Sequence, residues 1–200
     1  GGTTIGVQTT AANTWLYNCK ITGFGYNLYP KTGASDTLLI DSYLESSTTN
    51  DIYTDANIDG TTLINTTHTP IKHSIGTGSN ITVQWYLDVL VQDGSGNAVQ
   101  GASVEAWNTT ANNQSVPDVV LTTTLTATTG SNGKIPSKWN ATEYVLTPSN
   151  GNVTSYYLVN ATKLGTRTQT YINLTTNTLV TLTLTDFPPN VTNLTWPYTN

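Results

Sequence analysis

Between Ile81 and Val91 the chain reads ITVQWYLDVLV, and its residues alternate. Val83, Trp85, Leu87, Val89 and Val91 fall on one side, and Thr82, Gln84, Tyr86, Asp88 and Leu90 on the other. A period of two belongs to a strand with one face in a core. Asp93-Gly94-Ser95-Gly96-Asn97 then interrupts it with residues suited to turn conformations. Ala98 to Trp107 carries a second strand whose main apolar residues are Val99, Val104, Ala106 and Trp107. The unit reads as strand, turn, strand, near the start of a β-sandwich.

More strands follow: Val119 to Thr128, Glu143 to Leu146, Ser155 to Ala161, Thr168 to Leu174 and Thr178 to Thr185. In the last, Val180, Leu182 and Leu184 share a face opposite Leu179, Thr181, Thr183 and Thr185. Gly130-Ser131-Asn132-Gly133 has the character of a hairpin turn. The run VLVQDGSGNAVQGASVEAW, followed by TTGSNGKI and EYVL, resembles the carboxypeptidase-regulatory-like, transthyretin-like sandwich. The likeness covers roughly residues 80–186, with Gly130 standing where that pattern has Asp. It implies an Ig-like sandwich used as a spacer or surface module, with no catalytic residue of its own.

Upstream, the chain repeats itself. Leu16-Tyr17-Asn18-Cys19-Lys20-Ile21 aligns with Leu39-Ile40-Asp41-Ser42-Tyr43-Leu44, 23 residues on, and Leu63-Ile64-Asn65-Thr66 follows after 24 more. Tyr26-Asn27-Leu28-Tyr29 aligns with Asn50-Asp51-Ile52-Tyr53, again 24 on. Asn, Asp and Asn at one position suit coils that stack like residues over like. The segment resembles the rungs of secreted, right-handed parallel β-helix proteins. Antiparallel hairpins with coincidental spacing are the other reading. The fold class expected is all-β: a β-rich segment of helix rungs or hairpins, then the sandwich. The organisation is an extended arm over 1–14, the repeats over 15–79, the sandwich over 80–186 and a C-terminal extension over 187–200. Thr66 to Ser79, with Pro70 and Gly76-Thr77-Gly78, marks the boundary. Its His68 and His73 read as solvated linker residues, because no third metal ligand is evident.

Asn-x-Ser/Thr sequons begin at Asn65, Asn80, Asn108, Asn113, Asn140, Asn152, Asn160, Asn173, Asn190 and Asn193. Ten in 200 residues exceed what the Asn- and Thr-rich composition gives by chance, and point to an N-glycosylated surface chain. A start at Gly1 is expected of a chain already relieved of a leader. Only 10% of residues are charged, as in archaeal surface proteins, and the net charge of -5 argues against nucleic acid. No stretch of about twenty apolar residues offers a membrane span. Cys19, the single cysteine, has no partner for an intrachain disulfide and reads as a buried thiol.

Chemistry is sparse. No nucleophile elbow, phosphate loop or metal-spaced His/Cys cluster appears, so neither enzyme activity nor a cofactor is expected. Asp36, Asp41, Asp51, Asp55 and Asp59 read as solvated turn acids rather than calcium ligands. The expected function is a structural subunit of an extracellular filament or cell-surface layer. Its partners are identical subunits and N-linked glycans. Gly1 to Thr10 would be donated as a strand to a neighbour's sheet, with Ile5 and Val7 as pegs. The alternative is the end of a secreted β-helix protein that binds or processes carbohydrate, with Trp15, Tyr17, Tyr26, Tyr29 and the aspartates along a groove.

Overall fold

The computed structural model describes residues 3–69, 73–109, 120–148 and 156–185. Among them every regular element is a strand. The first part is a stack of coils. Coil one holds β1 (Ile5–Thr9), β2 (Trp15–Tyr17) and β3 (Lys20–Thr22). Coil two holds β4 (Tyr26–Pro30), β5 (Leu38–Ile40) and β6 (Tyr43–Glu45). Coil three holds β7 (Asn50–Tyr53) and β8 (Thr61–Ile64), and a bridge from Thr67 to Tyr43 marks its third side. Coil four is β9 (His73–Ser74) and the beginning of β10 (Ile81–Asp93). All pairing between coils is parallel, along three faces: β1-β4-β7-β9, β2-β5-β8-β10 and β3-β6.

The register is the one the repeats announce. Leu16 pairs with Leu39 and Leu39 with Leu63; Ile21 pairs with Leu44; Leu28 pairs with Ile52. Stacked coils are thus the correct reading and hairpins are not. Each face sends one aliphatic ladder inward: Val7, Leu28, Ile52 from the first; Leu16, Leu39, Leu63, Val83 from the second; Ile21, Leu44 from the third. Burying each leucine stabilises the stack by about 1.5–3 kcal/mol.

Corners are set by residues that tolerate positive φ. Asn13, Asp36 and Gly60 occupy one corner in successive coils, and Asn18, Asp41 and Asn65 the next. Gly23 and Ser46 share a third, and Gly33, Asn57 and Gly78 a fourth. Their φ values run from 46° to 95°. Short polar side chains and glycine reach this left-handed region most easily. The backbone then bonds upward, from Asn18 N to Ile40 O, Asp41 N to Ile64 O and Asn65 N to Gln84 O.

β10 continues past the coils into a second core. Its first residues pair with β8 on one edge and with β13 (Trp139–Leu146) on the other. Beyond Leu87 the edge that β8 leaves is taken by β16 (Thr178–Leu184), in parallel. Across from this sheet lies an antiparallel one of order β12-β11-β14-β15: Val120–Thr128, Ser103–Thr109, Tyr156–Lys163 and Thr166–Asn173. The two share a core of Leu87, Val89, Val91, Val104, Ala106, Val159, Val180 and Leu182, among others. Trp85 packs against both this core and that of the coils, and its indole donates to Glu143 at 2.6 Å. Burial raises the Glu143 carboxyl.

Two turns behave differently from their sequence signature. Asp93 to Asn97 starts as a hairpin, with Asp93 N bonded to Asn97 O, but β11 leaves for the opposite sheet. Gly130 to Gly133 closes a turn, yet β12 and β13 lie in different sheets. Each is a crossing between layers.

Candidate functional site

Coil one is the outermost described coil, and among the described residues no strand pairs with the outer edges of β1, β2 and β3. Its inward residues are consequently less covered than those of coil two. Leu28, Leu39 and Leu44 are 0% exposed and Ser42 1%. Val7, Leu16 and Cys19, their counterparts, are only partly buried; Ile21 sits at 6%. At the far end the coils are closed: β13 supplies Tyr144 and Leu146 to the same core as Leu63 and Val83.

This corrects the picture of a free arm. Ile5 and Val7, expected as pegs for a neighbour, lie in β1 opposite Tyr26 and Leu28 of the same chain. Thr4 anchors the entry, its carbonyl accepting from Tyr26 N and its hydroxyl from Gly25 N. The other edge of that strand has no partner among the described residues.

The second surface feature is an aromatic face around the Asn18–Asp41–Asn65 corner. Trp15 is 62% exposed, and Tyr17 and Tyr43 51% each. The corner itself is a hydrogen-bonded polar ladder. Asn65 Nδ2 donates to Asp41 Oδ1, and Asn177 Nδ2 donates to Asn65 Oδ1 at 2.7 Å. Asn177 Oδ1 in turn accepts from Tyr86 N at 2.9 Å, tying the coils to the second core. Burial, and then the nearby Asp41 carboxylate, raise the Tyr86 hydroxyl.

Tyr26 and Tyr29 lie on a different face from Trp15 and Tyr17, so the groove expected from the sequence is not assembled. Tyr26 instead stacks on Tyr53, with centroids 4.5 Å apart and planes at 10°, and Tyr29 meets Tyr53 edge-on at 5.0 Å. Tyr29 donates to Asp55 at 2.6 Å, which pushes its hydroxyl up to about 12. The same bond, with the Thr32 backbone N–H, holds Asp55 below the usual carboxylate range. Tyr53 was legible as the residue one repeat after Tyr29; Tyr86 carried no signal beyond facing away from the core.

His68 and Asp51 are not the solvated residues expected. Asp51 is 0% exposed and accepts from Asn27 Nδ2 at 3.0 Å and Thr69 N at 2.7 Å. His68 lies between Thr66 O at its Nδ1 and the Tyr144 hydroxyl at its Nε2, with the His73 ring 5.2 Å away. Donation from Nδ1 to the carbonyl leaves Nε2 to accept from Tyr144. Burial lowers the His68 pKa. Among the described residues no group of three or more His, Cys, Asp or Glu is placed to hold a metal ion. No helix there is long and apolar enough to cross a membrane.

The sequons differ in setting. Asn140 and Asn173 are exposed. Asn65 and Asn80 are half-buried, their amides donating to Asp41 and Asp59. Asn108 is half-buried within β11. Asn160 is 4% exposed, its Nδ2 donating to Glu105 at 3.4 Å and its Oδ1 accepting from Arg167 at 2.8 Å. Asn113, Asn152, Asn190 and Asn193 lie outside the described residues, as does the extension over 187–200.

No protein-family model matches the chain, and no curated protein matches it.

Proposed function

We propose that this chain is a structural subunit of an extracellular, N-glycosylated filament or cell-surface layer, built by strand pairing between identical subunits. The observation that carries the reading is the outer edge of coil one, which no strand covers among the described residues. Among the described residues three strand edges there have no neighbouring strand, beside an incompletely covered apolar interior, and such edges recruit further strands. Residues 80–186 serve as a transthyretin-like sandwich of the spacer type, and an archaeal cell surface suits the low charge and the sequons. Glycans are carried at Asn140 and Asn173, whose side chains face solvent, and not at Asn160, whose amide is enclosed and bonded at both ends. Peptide mass spectrometry of native material checks this: a glycan on Asn160 sinks that assignment. The reading as a whole is tested by electron microscopy of the purified native protein, with intact mass on the same sample. Filaments or sheets built from chains that carry this sequence and glycans support it, and dispersed monomers overturn it.

The exposure of Trp15, Tyr17 and Tyr43 around a polar corner favours a second reading, a carbohydrate-binding surface. Retardation in affinity electrophoresis through neutral polysaccharide gels, lost in Trp15→Ala, would support it.

A further inference from the structure

The outer edge of coil one is complementary to itself. β2 and β3 are each three residues long, joined through the Asn18-Cys19 corner, and each carries one inward apolar residue at its centre, Leu16 and Ile21. In β1, Val7 packs into the core and Thr9 is buried, while Gln8 between them is exposed. We propose that two copies of this chain pair end to end through coil one, about a two-fold axis that sets β1 against β1 and β2 against β3. The pairing rests on the reading above and names its surface and partner.

Antiparallel pairing of β1 centred on Gln8 places Val7 opposite the second copy's Thr9, so inward residues meet inward residues. β2 against β3 places Leu16 opposite the second copy's Ile21, Trp15 opposite Thr22 and Tyr17 opposite Lys20. Lys20 is the only charged residue from Thr3 to Phe24, so identical ends meet with no like-charge pair across the strands. Its ammonium instead lands beside the Tyr17 ring, an attractive cation–π arrangement. Val7, Leu16 and Cys19 become covered as Leu28, Leu39 and Ser42 already are. The opposite end of the stack cannot serve as the acceptor on this face, because β13 holds the far edge of β10. A two-fold contact closes on itself, so a layer or filament with the pair as its repeating unit needs a second contact between pairs.

The lone cysteine makes the geometry testable. That register sets Cys19 opposite the second copy's Asn18 and diagonal to its Cys19, about 6 Å away for strands about 5 Å apart, which is within disulfide reach. The purified full chain is oxidised with diamide, and a parallel sample is treated with a short bis-maleimide. A covalent dimer is expected in both, absent in Cys19→Ser. Tyr17 is half exposed, so Tyr17→Lys leaves the fold intact by circular dichroism. Set opposite the second copy's Lys20, it raises the dimer dissociation constant about tenfold in analytical ultracentrifugation, and adding Lys20→Glu restores it. Self-association without Cys19 cross-linking, or indifferent to Tyr17→Lys, overturns the coil-one pairing while the subunit reading stands. A chain monomeric at every concentration overturns both.

Discussion

Asn18, Asp41 and Asn65 each turn the chain through the left-handed region at the same corner, and the last two are bonded side chain to side chain. An alanine there meets its own backbone, at about 1–2 kcal/mol. Asn65→Ala also gives up its bonds to Asp41 and Asn177, about 1 kcal/mol more. The expected loss is about 2–3 kcal/mol in urea denaturation; Asn65→Gly, free of the steric part, loses roughly 1 kcal/mol. Equal losses would show that the left-handed conformation contributes nothing. His68 gives a pH prediction. Its folded pKa lies below the ordinary 6.5, so the unfolded chain binds the proton more readily. Stability is therefore level above about pH 6.5 and declines as the pH falls below it, down to the folded pKa. Asp51, His73 and Tyr144 face the ring, and Asp51 moderates the decline by favouring the cation. His68→Gln should flatten this part of the stability profile; an unchanged slope places the proton elsewhere. The corner residues were legible because they recur at a fixed spacing. The His68–Tyr144 bond was not, because its partners stand 76 residues apart and nothing local marks them.

At the level of elements, a coil is worth what covers it. Leu39 has a coil above and below and no exposure, so Leu39→Ala leaves a cavity and costs about 2–5 kcal/mol. Val7 is covered on one side only, and Val7→Ala costs less than about 1.5 kcal/mol in the isolated subunit. Denaturant midpoints for the two variants check the contrast, and a Val7 penalty as large as that of Leu39 would mean that the end is already covered. The coils were readable because their apolar ladders repeat with the corners. Which sheet each later strand joins was not. Asp93 to Asn97 and Gly130 to Gly133 carry honest turn chemistry, but a turn fixes only the next few residues. The partner of β11 or β13 is chosen by the shared core, which local spacing does not encode. The alternation of β10 was read correctly as one buried face, yet that face serves two cores in succession, with Trp85 at the change.

For the whole molecule, β10 makes two cores into one cooperative body. It is bonded along both edges, by β8 then β16 on one side and β13 on the other. Unfolding followed by far-ultraviolet circular dichroism and by tryptophan fluorescence should give coincident curves, whereas two separated transitions would show that coils and sandwich melt independently. Hydrogen exchange should find the slowest amides between Val83 and Val91, since releasing them requires opening both cores. The same continuity decides how the molecule bears tension. A pull between the coils and the sandwich passes from one core to the other along β10, a single extended backbone clamped by neighbours on either side. Such a strand must slide past many bonds at once before it yields. β10, which starts just after the stretch that the sequence marks as a boundary, is mechanically the tie rod of the molecule.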